Sequence, residues 1–91
     1  MFYYVYVLYS LKDKRLYIGQ TNELQRRVRE HWRGEVVSTS HRRPLKLIYF
    51  EGFLTRQESI RRELWLKSGA GRAELKRILA LTLNTFGYKF R

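Results

Sequence analysis

Residues 2–10 read FYYVYVLYS, and this run constrains the fold more than any other in the chain. β-Branched and aromatic side chains occupy both of its faces, so a strand built from it has no face to give to water. It requires the centre of a sheet with a layer on each side. A chain of 91 residues, 44% of them hydrophobic, suffices for one such domain, burying roughly 60–65% of the surface its unfolded form exposes. We therefore expect a single domain over residues 1–91, with a core over 2–80 and a C-terminal tail over 85–91.

The charged break LKDKR at residues 11–15 leads into a second short strand, LYIGQ, at residues 16–20, and the two strands are expected to form a hairpin. Asn22 then offers a helix N-cap, with Gln25 three residues on in a variant of the capping box. This helix should reach about Trp32, with Leu24, Val28 and His31 or Trp32 as its apolar stripe, and stop at Gly34. A polar segment, EVVSTSHRRP, closes at Pro44 before a third strand, LKLIYFEGF. Thr55 and Glu58 form a full capping box opening a second helix from Arg56 to about Lys67. Residues 68–71, SGAG, break it, and a third helix carries Leu75, Ile78, Leu79 and Leu83 on one stripe. In the tail Phe86, Tyr88 and Phe90 alternate, which fits either an edge strand or a segment packed on the core. The order β-β-α-β-α-α excludes a doubly wound fold and predicts an α+β domain with a small antiparallel sheet and three helices against it.

Nineteen basic residues against eight acidic give a net charge of +11, and thirteen of the cations are arginines. Charge this one-sided costs self-repulsion in the compact state, and a polyanionic partner is the first use for it. Guanidinium groups grip phosphate with bidentate order. A merely solvated basic surface is the alternative; a basic helix lying on a membrane fits less well, since no segment joins a wide apolar face to clustered charge. The chain contains no cysteine and two histidines, which removes disulfides and thiolate metal cages and suits a reducing compartment. No run approaches a membrane span of ~18 apolar residues, so the expected location is the cytoplasm.

Three polar side chains gather within fifteen residues. Tyr17 faces away from Leu16 and Ile18 on its strand, beside the open backbone of Gly19. Arg27 and His31, four apart, share one face of the helix that follows. Two readings of Arg27 stand side by side, because Glu23 lies four residues before it and could hold it in a surface ion pair. On the second helix Glu63 projects between Ile60 and Leu66, along the apolar edge, where a carboxylate needs a partner. Lys67, four residues on, is one partner; a divalent cation is the other. Arg42 and Arg43, beside His41, form a candidate phosphate rail in the loop, and Arg72 with its preceding glycines a second one. Arg26, Arg29 and Arg33 add charge around the first helix.

Tyr4-Val5-Tyr6, then Tyr17-Ile18-Gly19, then Arg27 with His31, then Glu63 in a second helix, resemble the GIY-YIG nuclease family in order and spacing. The stretches RRPLKLIYFE (42–51) and LKSGAGR (66–72) are similar to those of its small single-domain bacterial members. Tyr4 stands where the family name has glycine, while the tyrosine of that triad is kept as Tyr6. Asn84 is assigned no role. The resemblance implies a three-stranded antiparallel sheet flanked by helices, and a metal-dependent endonuclease cutting DNA, with RNA not excluded. A 91-residue chain leaves no room for a separate recognition domain, so we expect selectivity for branched or single-stranded structures over sequence, in a setting of DNA repair or recombination. Tyr6 would help deprotonate the attacking water, and Tyr17 would orient that water or contact the phosphate. Arg27 would neutralise the developing charge, His31 would assist by hydrogen bonding or proton relay, and Glu63 would hold one Mg²⁺ or Mn²⁺. Arg26, Arg42, Arg43 and Arg72 would contact the nucleic acid. A free phenol has a pKa near 10, so a standing phenolate at neutral pH requires roughly 4 kcal/mol of preferential stabilisation. Two other classes compete: a nucleic-acid-binding module that does not cut, and a nuclease subunit needing a partner protein.

Overall fold

The computed structural model describes residues 1–88. Strand β1 (Tyr3–Ser10) is the central strand of a three-stranded antiparallel sheet ordered β2-β1-β3, with β2 (Leu16–Thr21) and β3 (Leu45–Phe53) at the edges. Helix α1 (Leu24–Arg33) covers one face, where Tyr6, Leu8 and Leu45 are buried with Leu24 and Leu47 packed around them. On the other face Val5, Val7, Tyr9 and Ile18 pack against Leu66 of α2 (Arg56–Lys67), Leu75 of α3 (Gly69–Ile78) and Leu83 of α4 (Ala80–Thr85). The two-sided burial demanded by FYYVYVLYS is thus met, with residues 5–10 all nearly inaccessible.

Two local signals act as expected. Thr55 Oγ1 accepts from the Glu58 amide and donates to the Glu58 carboxylate, closing the box that starts α2. Gly34 takes the left-handed conformation, φ 80°, and ends α1.

Three details differ. Asn22 does not cap α1: the helix begins one residue later, with Glu23 at the cap, and Thr21 Oγ1 accepts the Glu23 amide instead. Residues 68–71 are no loop, since Ser68 closes α2 and also caps α3, its hydroxyl accepting from the Gly71 amide. The expected third helix is split at Leu79 into α3 and α4. Leu75, Leu79 and Leu83 stay buried across the break, while Ile78 turns outward to 39% exposure. The tail, as far as it is described, forms no strand: Phe86 stacks on Tyr9 at 5.0 Å and Tyr88 meets the same ring edge-on at 6.3 Å. Phe90 lies outside the described residues.

In β3 the register shifts between Val7 and Leu8, whose partners are Tyr49 and Leu47. Ile48 is the extra residue of this bulge, so Ile48 and Tyr49 both pack toward α2 and the alternation changes phase there. Phe50 then falls on the α1 face opposite Tyr6 and remains 52% exposed.

Candidate active site

The register that pairs Tyr6 with Gly19 determines the site. The Tyr6 ring lies across β2 at that glycine, where an added Cβ would come within 2.5 Å of the phenol oxygen. Its hydroxyl is thereby carried to the β2 edge, beside α1. There it lies 2.8 Å from His31 Nε2. Both residues are 1% exposed. Tyr17 completes a ring cluster, with centroids 5.0 Å from His31 and 6.4 Å from Tyr6.

The other ring nitrogen of His31 extends the chain of hydrogen bonds. Nδ1 is 2.7 Å from Oγ1 of Thr39, a fully buried threonine whose hydroxyl donates to the Val36 carbonyl at 3.5 Å. With its hydrogen directed there, Thr39 offers His31 an acceptor. With the imidazole hydrogen on Nδ1, Thr39 accepts it and Nε2 accepts from the Tyr6 hydroxyl; the other tautomer reverses both bonds. The chain runs from phenol to imidazole to threonine to backbone.

Electrostatics keep both titratable members neutral. Burial lowers the His31 pKa to about 4, with the nearby Arg27 charge acting in the same direction. Burial also pushes the Tyr6 phenol up to about 12; Arg27 works against this, while Tyr17 and Glu63 add to it. The protein's own groups thus move Tyr6 away from a standing phenolate, opposite to the shift a free phenolate base would need.

This shift has a measurable consequence. His31 has a folded pKa below its unfolded value, so the unfolded chain binds more protons as the pH falls from 6.5 toward 4, and stability is lost in that window. The melting midpoint is expected to drop by about 5 °C between roughly pH 7.5 and pH 5.5, corresponding to about 1 kcal/mol for a domain of this size. His31→Gln should flatten this dependence in a thermal-shift series; an equal slope in the variant would assign it to other groups.

Arg27 and Glu63 act on the Tyr6 phenol with opposite charge. The Arg27 guanidinium pairs with Glu30 at 2.9 Å, and not with Glu23, which lends α1 its backbone as the cap. Glu63 is largely buried, its side chain 19% exposed, and Oε2 lies 2.9 Å from Lys67. Among the described residues no three His, Cys, Asp or Glu side chains gather into a cage. One partly buried carboxylate is a donor set that suits Mg²⁺ or Mn²⁺ completed by water and substrate phosphate oxygens.

The remaining basic candidates divide by place. Arg26 lines a cavity of about 510 Å³ with Arg27, Asn22 and Arg56. Arg42 and Arg72 lie elsewhere, with Arg15 and Lys76 around a separate cavity of about 670 Å³. Arg42 is paired there with Asp13 at 2.6 Å, and its guanidinium pulls the Asp13 carboxyl down to about 2. Arg43 donates to the Ser40 and Trp32 carbonyls. Arg72 Nε donates to the Lys67 carbonyl at 3.3 Å. Thr39 is the member of the cluster that sequence reasoning missed, since the segment EVVSTSHRRP has no periodicity that marks one of its hydroxyl residues as buried.

The GIY-YIG catalytic domain model matches residues 2–76. A UPF0213 protein of Clostridium perfringens is 36% identical over 87 residues, covering 94% of this chain and 92% of its own. A UPF0213 protein of Haloquadratum walsbyi is 43% identical over 68 residues, with 74% of this chain and 75% of its own covered. The solution NMR structure of a UPF0213 protein from Bacillus halodurans superposes with a TM-score of 0.54 at 31% identity, covering 86% and 85% of the two chains.

Proposed function

Because the chain belongs to the GIY-YIG family, a family of nuclease domains, we propose that it is a divalent-metal-dependent endonuclease that hydrolyses DNA phosphodiester bonds, with preference for single-stranded or branched substrates in repair or recombination. The observation that carries this reading is the buried Tyr6–His31 hydrogen bond, with the Arg27 and Glu63 charges both acting on the phenol. A neutral phenol donating to a neutral imidazole can act as a relay. As water attacks phosphorus, its proton passes to the Tyr6 oxygen while the Tyr6 proton passes to His31 Nε2. Thr39 holds the Nδ1–H throughout, and Tyr17 orients the water or the phosphate. Arg27 opposes the charge that builds on the phosphoryl oxygens as the old P–O bond breaks, and the leaving oxygen takes a proton from solvent to depart as an alcohol. Glu63 would hold the metal, which supplies Lewis-acid polarisation of the phosphate when bound. Arg26 would contact the backbone beside the site, and Arg42, Arg43 and Arg72 more distant phosphates.

The test is incubation of single-stranded, duplex and forked DNA with Mg²⁺ or Mn²⁺, comparing wild type with Glu63→Ala. Cleavage by wild type that vanishes in the variant while binding persists is the expected result. Salt-sensitive binding without cleavage of any substrate would leave a binding module; activity that appears only with cell extract would point to a missing partner protein.

A further inference from the structure

The α1 face of the sheet continues past the end of the helix as an uncovered aromatic surface. Phe50 lies directly across from Tyr6 on β3 and is 52% exposed. Tyr4 precedes Tyr6 by two on β1, so it shares this face, and its ring meets Phe50 edge-on at 6.0 Å. Phe2 extends the row, its centroid 6.2 Å from Tyr4, lying over Gly52. Phe2 and Phe50 are exposed and Tyr4 half-buried between them, so large apolar groups face solvent in a domain that has little core to spare.

Their surroundings indicate what covers them. Asn22 lines the cavity beside Tyr4 and Phe50 and also the adjoining one, where Arg26, Arg27 and Arg56 outnumber Glu30, the carboxylate that pairs with Arg26 and Arg27. An aromatic row thus runs into a cationic rim, on a chain of net charge +11. A purely apolar protein partner gains nothing from that rim; a strand of unpaired nucleotides uses both, with bases on the rings and phosphates on the guanidinium groups. Double-stranded DNA keeps its bases stacked on one another and cannot use the rings.

We infer that Tyr4 and Phe50 form a base-stacking platform for single-stranded nucleic acid, which seats unpaired nucleotides immediately beside Tyr6. The inference rests on the nuclease reading for its substrate class and supplies the source of its strand preference. Specificity then comes from stacking, tolerant of sequence, with no readout of base edges.

The experiment is fluorescence anisotropy of labelled oligo(dT), oligo(rU) and a duplex in EDTA, with wild type, Phe50→Ala, Tyr4→Ala and Phe50→Trp. Each alanine variant is expected to bind oligo(dT) at least about fivefold more weakly, with duplex binding changed less than about twofold. Phe50→Trp should bind like wild type or better. Phe50 is half exposed, so its variants decide the matter even if Tyr4→Ala does not fold. Oligo(rU) should lose affinity in the alanine variants as oligo(dT) does, because the rings take the base and not the sugar. Equal losses on single strand and duplex, no loss at all, or a tryptophan variant as weak as alanine would overturn the platform. So would light scattering showing a wild-type dimer that Phe50→Ala converts to a monomer, which would give the face to a second copy. Because no metal is present, a chain that never cuts DNA still reports on this surface, and the two readings fail separately.

Discussion

Tyr6→Phe is expected to lower DNA cleavage by about 10²–10⁴-fold, the range that a positioned proton-transfer group contributes. The substitution keeps the ring that fills the space above Gly19 and removes only the oxygen shared with His31. It leaves Nε2 buried without its donor, a cost of about 1–3 kcal/mol that thermal unfolding measures independently of activity. Cleavage is therefore compared at a temperature where both proteins are folded by circular dichroism. Thr39→Val extends the series: without its acceptor, the imidazole hydrogen is free to move to Nε2, where it opposes the phenol. A loss of about tenfold, milder than that of Tyr6→Phe, is expected from removing such an orienting partner. Cleavage by Tyr6→Phe within about threefold of wild type would remove the phenol from the proton path, since the expected loss begins near 10².

Gly71→Ala is expected to destabilise the fold more than any other one-methyl change. A Cβ at Gly71 would lie 1.9 Å from the Trp65 carbonyl oxygen and 2.6 Å from the Leu66 Cα, both backbone atoms that cannot swing aside. The start of α3 would have to separate from the end of α2, opening the contact between Leu66 and Leu75. Overpacking of this kind costs about 3 kcal/mol, which lowers the melting midpoint by more than about 10 °C in a domain of this size. Gly69→Ala, two residues earlier, has nothing within 4 Å of the new methyl and should leave the midpoint unchanged or raise it. A differential-scanning measurement in which the two variants match would show that α2 and α3 are not packed this closely.

The fold was legible wherever the signal was local. Thr55 with Glu58 marks the start of α2 because a capping box is made by neighbours in sequence, and Gly34 marks the end of α1 because only glycine adopts that conformation cheaply. Leu79 carries no such mark. With Leu75, Leu79 and Leu83 four apart on both sides of the break, the periodicity reads straight through it, and the split is decided by packing against the sheet. Asn22 looked like a cap on residue type alone, yet the helix starts one residue on, at Glu23, with no side-chain cap bond.

The candidate site shows the same division. The order of Tyr6, Tyr17, Arg27, His31 and Glu63 was visible along the chain, through a resemblance. Their convergence depends on a cross-strand glycine that lets one ring pass over β2, a relation between residues thirteen apart. The direction of the phenol shift was not readable at all, because burial, which sets it, is a property of the assembled layers. Thr39 became a partner of His31 only when the segment after α1 folded back on the helix.

The bulge at Ile48 makes strand length a matter of phase. Counted by twos from Leu45, Phe50 belongs among the residues that α2 covers, and a regular strand of the same sequence would hide it. One unpaired residue turns the remainder of β3 over. The same few amino acids can therefore be hidden or displayed according to whether the ladder skips a rung, and an insertion or deletion near residue 48 would exchange Phe50 on the open face for Tyr49 and Phe53 from the core.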